Sequence, residues 1–161
     1  MNLIPWNQLT QVERDAVGAL QIDERQGEYA GPISRAIAAV DSATTDEVIG
    51  MAFQMDAVIV GFVVLKSGAS APSWAGENTI VISAMRIDAQ YQSRGFGTLA
   101  LNAVATWVHL HMPLCTSIKL SVDEENIAGI RAYTKAGFVD DGIRETGRIG
   151  WVRYMTKSIV S

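Results

Sequence analysis

The chain has 161 residues, of which 48% are hydrophobic and 19% charged, a composition that excludes an extended disordered protein. A formal net charge of −4 and a pI near 5.1 disfavour a nucleic-acid binder, which normally presents a basic face. One cysteine, Cys115, excludes an internal disulfide, and neither a basic leader nor a membrane-length apolar run is found, so we expect a cytoplasmic protein without membrane association.

The first part of the chain predicts an edge strand, two helices and a hairpin. The segment 3–6 contains a proline and therefore fits a sheet edge. Thr10 is a favourable N-cap for a helix over residues 11–22. The glycines and proline of 27–32 predict a turn, and that proline suits the start of a second helix. Two apolar runs on either side of residues 56–57 predict a β-hairpin.

The stretch 79–88, TIVISAMRID, predicts a strand. Strict alternation gives one face the side chains of Thr79, Val81, Ser83, Met85 and Ile87. The opposite face then carries Ile80, Ile82, Ala84 and Arg86. Because both faces are largely apolar, we expect a central strand that is covered on both sides.

The second half of the chain alternates strands and helices. Apolar residues recur at helical spacing over residues 95–111. A second helix over 126–136 has Asn126 as its candidate N-cap and Gly137 after its end. Strands are predicted at 117–122 and, as a last pair, at 138–143 and 150–157. This order indicates an α/β fold around a mixed sheet.

The stretch 90–100, QYQSRGFGTLA, predicts an anion-binding turn at the start of the long helix. A nucleoside-triphosphate loop is excluded because no lysine follows Gly97. A dinucleotide turn is disfavoured because seven residues separate the strand from Gly95, and 112–122 lacks an acidic ribose partner. Backbone capture of a phosphate fits better, because the two glycines leave room for an anion beside free N–H groups. A plain helix start that happens to contain glycines is the alternative.

Two blocks of the sequence resemble the GCN5-related N-acetyltransferases. The first is the pattern Gln92-x-x-Gly95-x-Gly97, between a central strand and a long amphipathic helix, which resembles the acetyl-CoA-binding motif of that family. The second block is 121–138, SVDEENIAGIRAYTKAGF, with an asparagine that opens a helix, a tyrosine two turns later and a closing Gly-Phe. The resemblance covers about residues 79–140.

The resemblance implies one N-acetyltransferase domain over 1–161, with a mixed, mostly antiparallel, splayed sheet of about six or seven strands and about four helices on its two faces. It implies acetyl-CoA as cosubstrate and no metal. The arm of acetyl-CoA would pair with the central strand like an added strand, and its pyrophosphate would lie on the turn. Cofactor binding is thereby assigned to Met85, Arg86, Ile87, Gln92, Ser93, Arg94, Gly95, Phe96, Gly97, Thr98 and Asn126.

The resemblance also implies catalytic roles for Tyr133 and Glu77. Tyr133 lies seven residues after Asn126, which places both on one helix face about 10 Å apart. Its phenol would protonate the departing thiolate, and the backbone N–H of Arg86 or Ile87 would stabilise the oxyanion. The general base is open. Glu77, just before the central strand, is the nearest carboxylate, and Glu124 and Glu125 follow the next strand. A water relay without a single base is the alternative.

The implied acceptor is the primary amine of a small molecule. The stretch 21–37 loosely resembles bacterial spermine/spermidine acetyltransferases, and Asp23, Glu24 and Glu28 could attract a polyamine. A peptide or protein amine is an alternative acceptor, and a non-catalytic acetyl-CoA sensor is an alternative class. The apolar final strands permit a homodimer. His109 and His111 lie two residues apart on a helix, a spacing that does not suit a metal pair.

Overall fold

Seven strands of residues 1–159, the part described by the computed structural model, form one sheet. The strands are β1 (Asn2–Pro5), β2 (Val48–Met55), β3 (Val58–Lys66), β4 (Thr79–Ile87), β5 (Ser117–Asp123), β6 (Val139–Thr146) and β7 (Trp151–Ser158). The α-helices are α1 (Gln11–Gly18), α2 (Glu24–Ala30), α3 (Ile33–Asp41), α4 (Phe96–His111) and α5 (Ile127–Lys135). The order across the sheet is β1-β2-β3-β4-β5-β7-β6, with β4 and β5 parallel and the other neighbours antiparallel. The predicted mixed, mostly antiparallel sheet is confirmed.

Helix α2 occupies most of the segment 27–32, for which the sequence predicted a turn. The Asp23 carboxylate accepts a hydrogen bond from the N–H of Gln26 at 2.8 Å and caps the helix. The helix continues through Gly27 and ends at Gly31, whose φ is +71°. The turn prediction was wrong because a side-chain cap offsets the cost of one interior glycine, about 1 kcal/mol.

Two apolar layers cover the faces of the sheet. Helices α4 and α5 pack on one face, where Leu101 and Ile118 are buried. Helices α1 and α3 pack on the other face, where Val17 and Phe62 are buried. The central strands are therefore covered on both sides, as their apolar sequences predicted.

A bulge in β4 changes which of its residues share a face. The register with β3 shifts beside Ser83, which has no partner across the ladder. Beyond the bulge, Met85 and Ile87 pack into the layer under α4 and α5. That layer also holds Ile80 and Ile82. The predicted alternation, which set these two pairs on opposite faces, was therefore wrong after the bulge.

Strands β4 and β5 pair only at their beginnings, from Thr79 opposite Ser117 to Val81 opposite Lys119. Beyond these residues β4 continues to pair with β3, and β5 continues to pair with β7. The two parallel strands therefore separate, and the sheet is splayed as the family resemblance implied. The gap opens at their carboxyl ends, a common place for a ligand in sheets with parallel strands.

The described part of the chain has neither a membrane-spanning helix nor a metal-type cluster. No helix of residues 1–159 is both long and apolar enough to cross a membrane. The same residues contain no group of three or more His, Cys, Asp or Glu side chains placed to hold a metal ion. His111 stacks on Trp107 instead, with ring centroids 4.6 Å apart.

Gly61 of β3 leaves no room for a side chain against β4. A Cβ at this position would lie 2.5 Å from the carbonyl oxygen of Arg86 and 2.9 Å from Phe53. We expect Gly61→Ala to lower the free energy of unfolding by about 1–3 kcal/mol, as overpacking does. Urea unfolding measures the change. Gly27→Ala is the control, because a Cβ there meets nothing within 4 Å and should raise stability by about 0.5–1 kcal/mol. Equal stability of the Gly61 variant and the wild type would contradict the close approach.

Candidate active site

The gap between β4 and β5 forms a cleft of about 440 Å³. Its walls are the carboxyl ends of the two strands, the turn before α4, one face of α5 and part of α2. Each of these five elements contributes polar residues to its lining, among them Gln26, Ser83, Gln92, Asp123 and Tyr133. The splayed sheet therefore brings distant parts of the chain to one concave surface, the usual setting of a ligand site.

The backbone of β4 presents alternate residues to the cleft. The carbonyl of Arg86 points towards β3, because a Cβ on Gly61 of that strand would touch its oxygen. Two residues later the Asp88 N–H points the same way and donates to the Val60 carbonyl of β3 at 2.8 Å. Because backbone groups alternate in direction along a strand, those of Met85 and Ile87 face the gap. The predicted backbone contact with the cofactor is thus available at Met85 and Ile87. At Arg86 it is not, because β3 occupies that edge.

The turn before α4 carries free N–H groups and open space. Gly95 is the N-cap of α4, with φ +81° and no side-chain cap, and a Cβ there would meet nothing within 4 Å. Ser93 also has a positive φ, +61°, so successive N–H groups of this turn can point towards one anion. The Gln92 side chain donates to the Ile87 carbonyl at 2.9 Å and ties the turn to the end of β4.

The predicted turn residues divide into two groups in the structure. Five line the cleft: Gln92, Ser93, Gly95, Gly97 and Thr98. Arg94 is exposed and Phe96 packs against Tyr91, with ring centroids 5.7 Å apart. Neither Arg94 nor Phe96 is part of the cleft wall formed by the described residues. Their predicted contacts with the cofactor thus rest on the sequence pattern, and for Phe96 on the N–H at the start of the helix.

Asn126 both caps α5 and faces the cleft. Its Oδ1 accepts hydrogen bonds from the Gly129 N–H at 3.0 Å and from the Gln26 Nε2 at 3.3 Å. The first contact is the predicted N-cap. The second joins α2 to α5 across the mouth of the cleft.

Tyr133 lies on the cleft-facing side of α5. Its ring packs edge-on against Phe138, with ring centroids 5.8 Å apart. Burial raises the pKa of Tyr133 to about 12, with no hydrogen bond contributing to the shift. The phenol therefore stays protonated at neutral pH, and Tyr133 is part of the cleft wall.

Asp123 is the carboxylate that the structure places in the cleft wall, and sequence reasoning did not single it out. It is the last residue of β5, and burial raises the pKa of its carboxyl group, against a smaller lowering by Arg148. The signal in the sequence was its position at the end of the strand parallel to β4. Glu77 lies two residues before β4, exposed and at the opposite end of that strand from the cleft. Its predicted role as base has no support from its position.

The acidic residues of the predicted acceptor region lie beside the cleft. Asp23, Glu24 and Glu28 line a shallow groove together with Glu125. Tyr29 lines both this groove and the cleft, so the two are adjacent.

The tip of the β6–β7 hairpin reaches the same region. The guanidinium of Arg148 donates to the backbone carbonyl of Glu28 on α2. Trp74 packs on Tyr154 of β7, with ring centroids 4.8 Å apart, and is not part of the cleft wall.

Comparisons with known proteins agree with this geometry. A family model described as the acetyltransferase (GNAT) family matches residues 17–138. An uncharacterized N-acetyltransferase of Bacillus subtilis (strain 168), YbbJ, is 28% identical over 97 residues. That match covers 59% of this chain and 61% of the relative, so the chain spans about three fifths of the relative's length.

Two solved structures share the fold. AAC(6')-Ib in complex with paromomycin and acetyl-CoA matches with a TM-score of 0.77 and 18% identity, over 98% of this chain and 92% of that one. Spermidine N-acetyltransferase from Vibrio cholerae, in complex with CoA and spermine, matches with a TM-score of 0.72 and 16% identity, over 98% and 94% of the two chains. At these identities the likeness concerns the fold.

Proposed function

The chain belongs to the acetyltransferase (GNAT) family, and from this premise we propose that it transfers the acetyl group of acetyl-CoA directly to the primary amine of a small molecule. One observation supports this proposal above the others. The cleft between β4 and β5 joins a glycine turn, a partly buried carboxylate at Asp123 and a protonated phenol at Tyr133. These are the parts that amine acetylation needs, namely an anion site, a base and an acid.

The residues of the turn fit the diphosphate of acetyl-CoA. The open space at Gly95 would be filled by any side chain, and the unpaired N–H groups of the first turn of α4 suit an anion. Met85 and Ile87 offer backbone groups to an extended arm in the gap. Acetyl-CoA bound in this way would supply the activated acetyl thioester.

Asp123 accepts the proton that the amine must lose. An alkylammonium ion has no free electron pair, so attack on a carbonyl carbon requires prior deprotonation. The raised pKa makes the Asp123 carboxylate a better proton acceptor than an exposed one. The first amine proton passes to this carboxylate, directly or through a water molecule, before the free amine attacks and the C–N bond forms. The nitrogen then releases a second proton to solvent as the amide is formed.

Tyr133 supplies a proton to the leaving sulfur. As the C–S bond breaks, the electron pair stays on sulfur, and the phenol of Tyr133 donates its proton there. The N–H of Ile87 or Met85 faces the gap and can hold the negative charge that develops on the carbonyl oxygen. No group of the protein becomes acetylated in this sequence.

Asp123→Asn tests the assignment of the base. We expect kcat/KM to fall by about 10²- to 10⁴-fold at neutral pH, the usual contribution of general acid–base catalysis. In the wild type kcat/KM should fall as the pH drops through the raised pKa of Asp123, because the protonated carboxyl cannot accept a proton. The variant should lose this limb of the pH profile. Glu77→Gln in the same assay tests the base predicted from the sequence. A larger loss of kcat/KM in Glu77→Gln than in Asp123→Asn would assign the base to Glu77 instead.

A screen of acceptors tests the function itself. Purified protein with acetyl-CoA is offered polyamines, aminoglycosides, amino acids and peptides, and each amine is examined for the mass gain of one acetyl group. We expect at least one class of small amine to gain it. Product on peptides alone would favour the protein-directed alternative. Tight acetyl-CoA binding without any product would favour a sensor module.

A further inference from the structure

Arg86 is a buried cation without an acidic partner. Its side chain and backbone together are 6% exposed, and it lies on β4 in the wall of the cleft. None of the ion pairs formed within residues 1–159 includes it. Burial alone lowers the pKa of its guanidinium, with no opposing charge. A buried charge without a partner is costly, so such a residue calls for an explanation.

The neutral contact of Arg86 uses a small part of its hydrogen-bonding capacity. Its Nη2 donates to the backbone carbonyl of Gly31, at the junction of α2 and α3, at 3.1 Å. An arginine has five N–H donors arranged in a planar fork. Within residues 1–159 the guanidinium makes no second hydrogen bond, and Arg86 is part of the cleft wall.

Arg86 and the glycine turn belong to opposite faces of the sheet. Arg86 pairs across the ladder with Phe62, which belongs to the apolar layer under α1 and α3. The glycine turn belongs to the start of α4, which covers the opposite face. Met85 and Ile87, on either side of Arg86, present backbone groups to the gap between β4 and β5. Asp123 lies in the opposite wall of the cleft. The cleft wall therefore includes one buried cation, Arg86, and one carboxylate, Asp123, whereas its other cations, Arg131 and Lys135, are exposed.

We propose that Arg86 binds a carboxylate of the acceptor, so that the acceptor is an amino carboxylic acid with its amine directed to Asp123. This rests on the proposed acetyl transfer and narrows its substrate class. A carboxylate matches the planar fork of a guanidinium and would complete the missing charge pair. A polyamine would bring a further cation towards Arg86, and the acidic groove that could attract it lies outside the cleft wall.

The test compares matched acceptors on the wild type and on Arg86 variants. Amino acids with one to four carbons between amine and carboxyl are paired with their carboxamides, and spermidine is included as a cationic acceptor. We expect the wild type to show kcat/KM about 10- to 100-fold higher for the carboxylate than for its amide, as loss of a charge-assisted contact predicts.

Arg86→Met should raise KM for the carboxylates about 10- to 100-fold, with a smaller effect on kcat and none on the amides. Arg86→Lys should recover part of the preference, because it restores the charge without the fork. Arg35→Met is the control for loss of a positive charge near Gly31, since Arg35 is exposed on α3 and outside the cleft wall. Calorimetric titration with acetyl-CoA and thermal unfolding check that each variant is folded and binds the cosubstrate.

Equal rates on carboxylates and amides, or an equal loss on both in Arg86→Met, would overturn the proposal and leave Arg86 as a support for α2. Acetylation of spermidine without acetylation of amino acids would overturn it while the proposed acetyl transfer stands. No product from any amine would overturn both.

Discussion

Tyr133→Phe lowers kcat by about 10- to 10³-fold and leaves the affinity for acetyl-CoA nearly unchanged, within the span of general-acid effects. The substitution removes one oxygen from a cleft-lining residue whose ring packs on Phe138. The packing therefore remains, and the loss isolates the proton that Tyr133 donates to the leaving sulfur. Steady-state kinetics with thiol release measures kcat, and calorimetric titration measures the affinity.

Tyr91→Phe is the matched control for this substitution. Tyr91 is a partly buried tyrosine beside the turn, in contact with Phe96 and outside the cleft wall. It should keep its kcat. An unchanged kcat in Tyr133→Phe, or an equal loss in both variants, would remove Tyr133 from the role of acid.

Gly95→Leu weakens acetyl-CoA binding by about 10- to 100-fold or more, because a side chain fills the space beside the free N–H groups of the turn and several charge-assisted contacts are lost. The left-handed backbone of Gly95, at φ +81°, also strains any replacement. The two effects need to be separated, since strain alone would lower stability and not affinity.

Gly142→Leu separates them. Gly142 in β6 has φ +80° and open space around its Cβ position, so its replacement carries the same strain at a place away from the cleft. Both variants should lose about 1 kcal/mol of stability by thermal unfolding. Calorimetric titration should show weakened acetyl-CoA binding for Gly95→Leu alone. Equal affinity in the two variants would contradict the assignment of the turn.

The parts of the fold that follow from local signals were predictable. The glycine turn, the start of α4 and the cap of α5 at Asn126 depend on residues within a few positions of each other. Helix α2 was not predicted although its N-cap is a local signal, because the two glycines at 27 and 31 led to the prediction of a turn. Only Gly31 adopts a backbone that ends the helix.

The parts that depend on pairing between strands were not predictable. The bulge beside Ser83 is a property of the register between β3 and β4, and it decides which β4 residues share a face. The same pairing turns the backbone of Arg86 away from the gap and presents that of Ile87. Asp123 enters the cleft wall only because β5 separates from β4. Nothing in a single sequence specifies that separation except the family resemblance.

Initial velocities with acetyl-CoA and an accepted amine both varied test the central claim, that the two substrates meet in the cleft and react directly. We expect double-reciprocal lines that intersect, and an unchanged protein mass after incubation with acetyl-CoA alone. Parallel lines together with an acetylated protein would indicate a covalent intermediate and contradict the account.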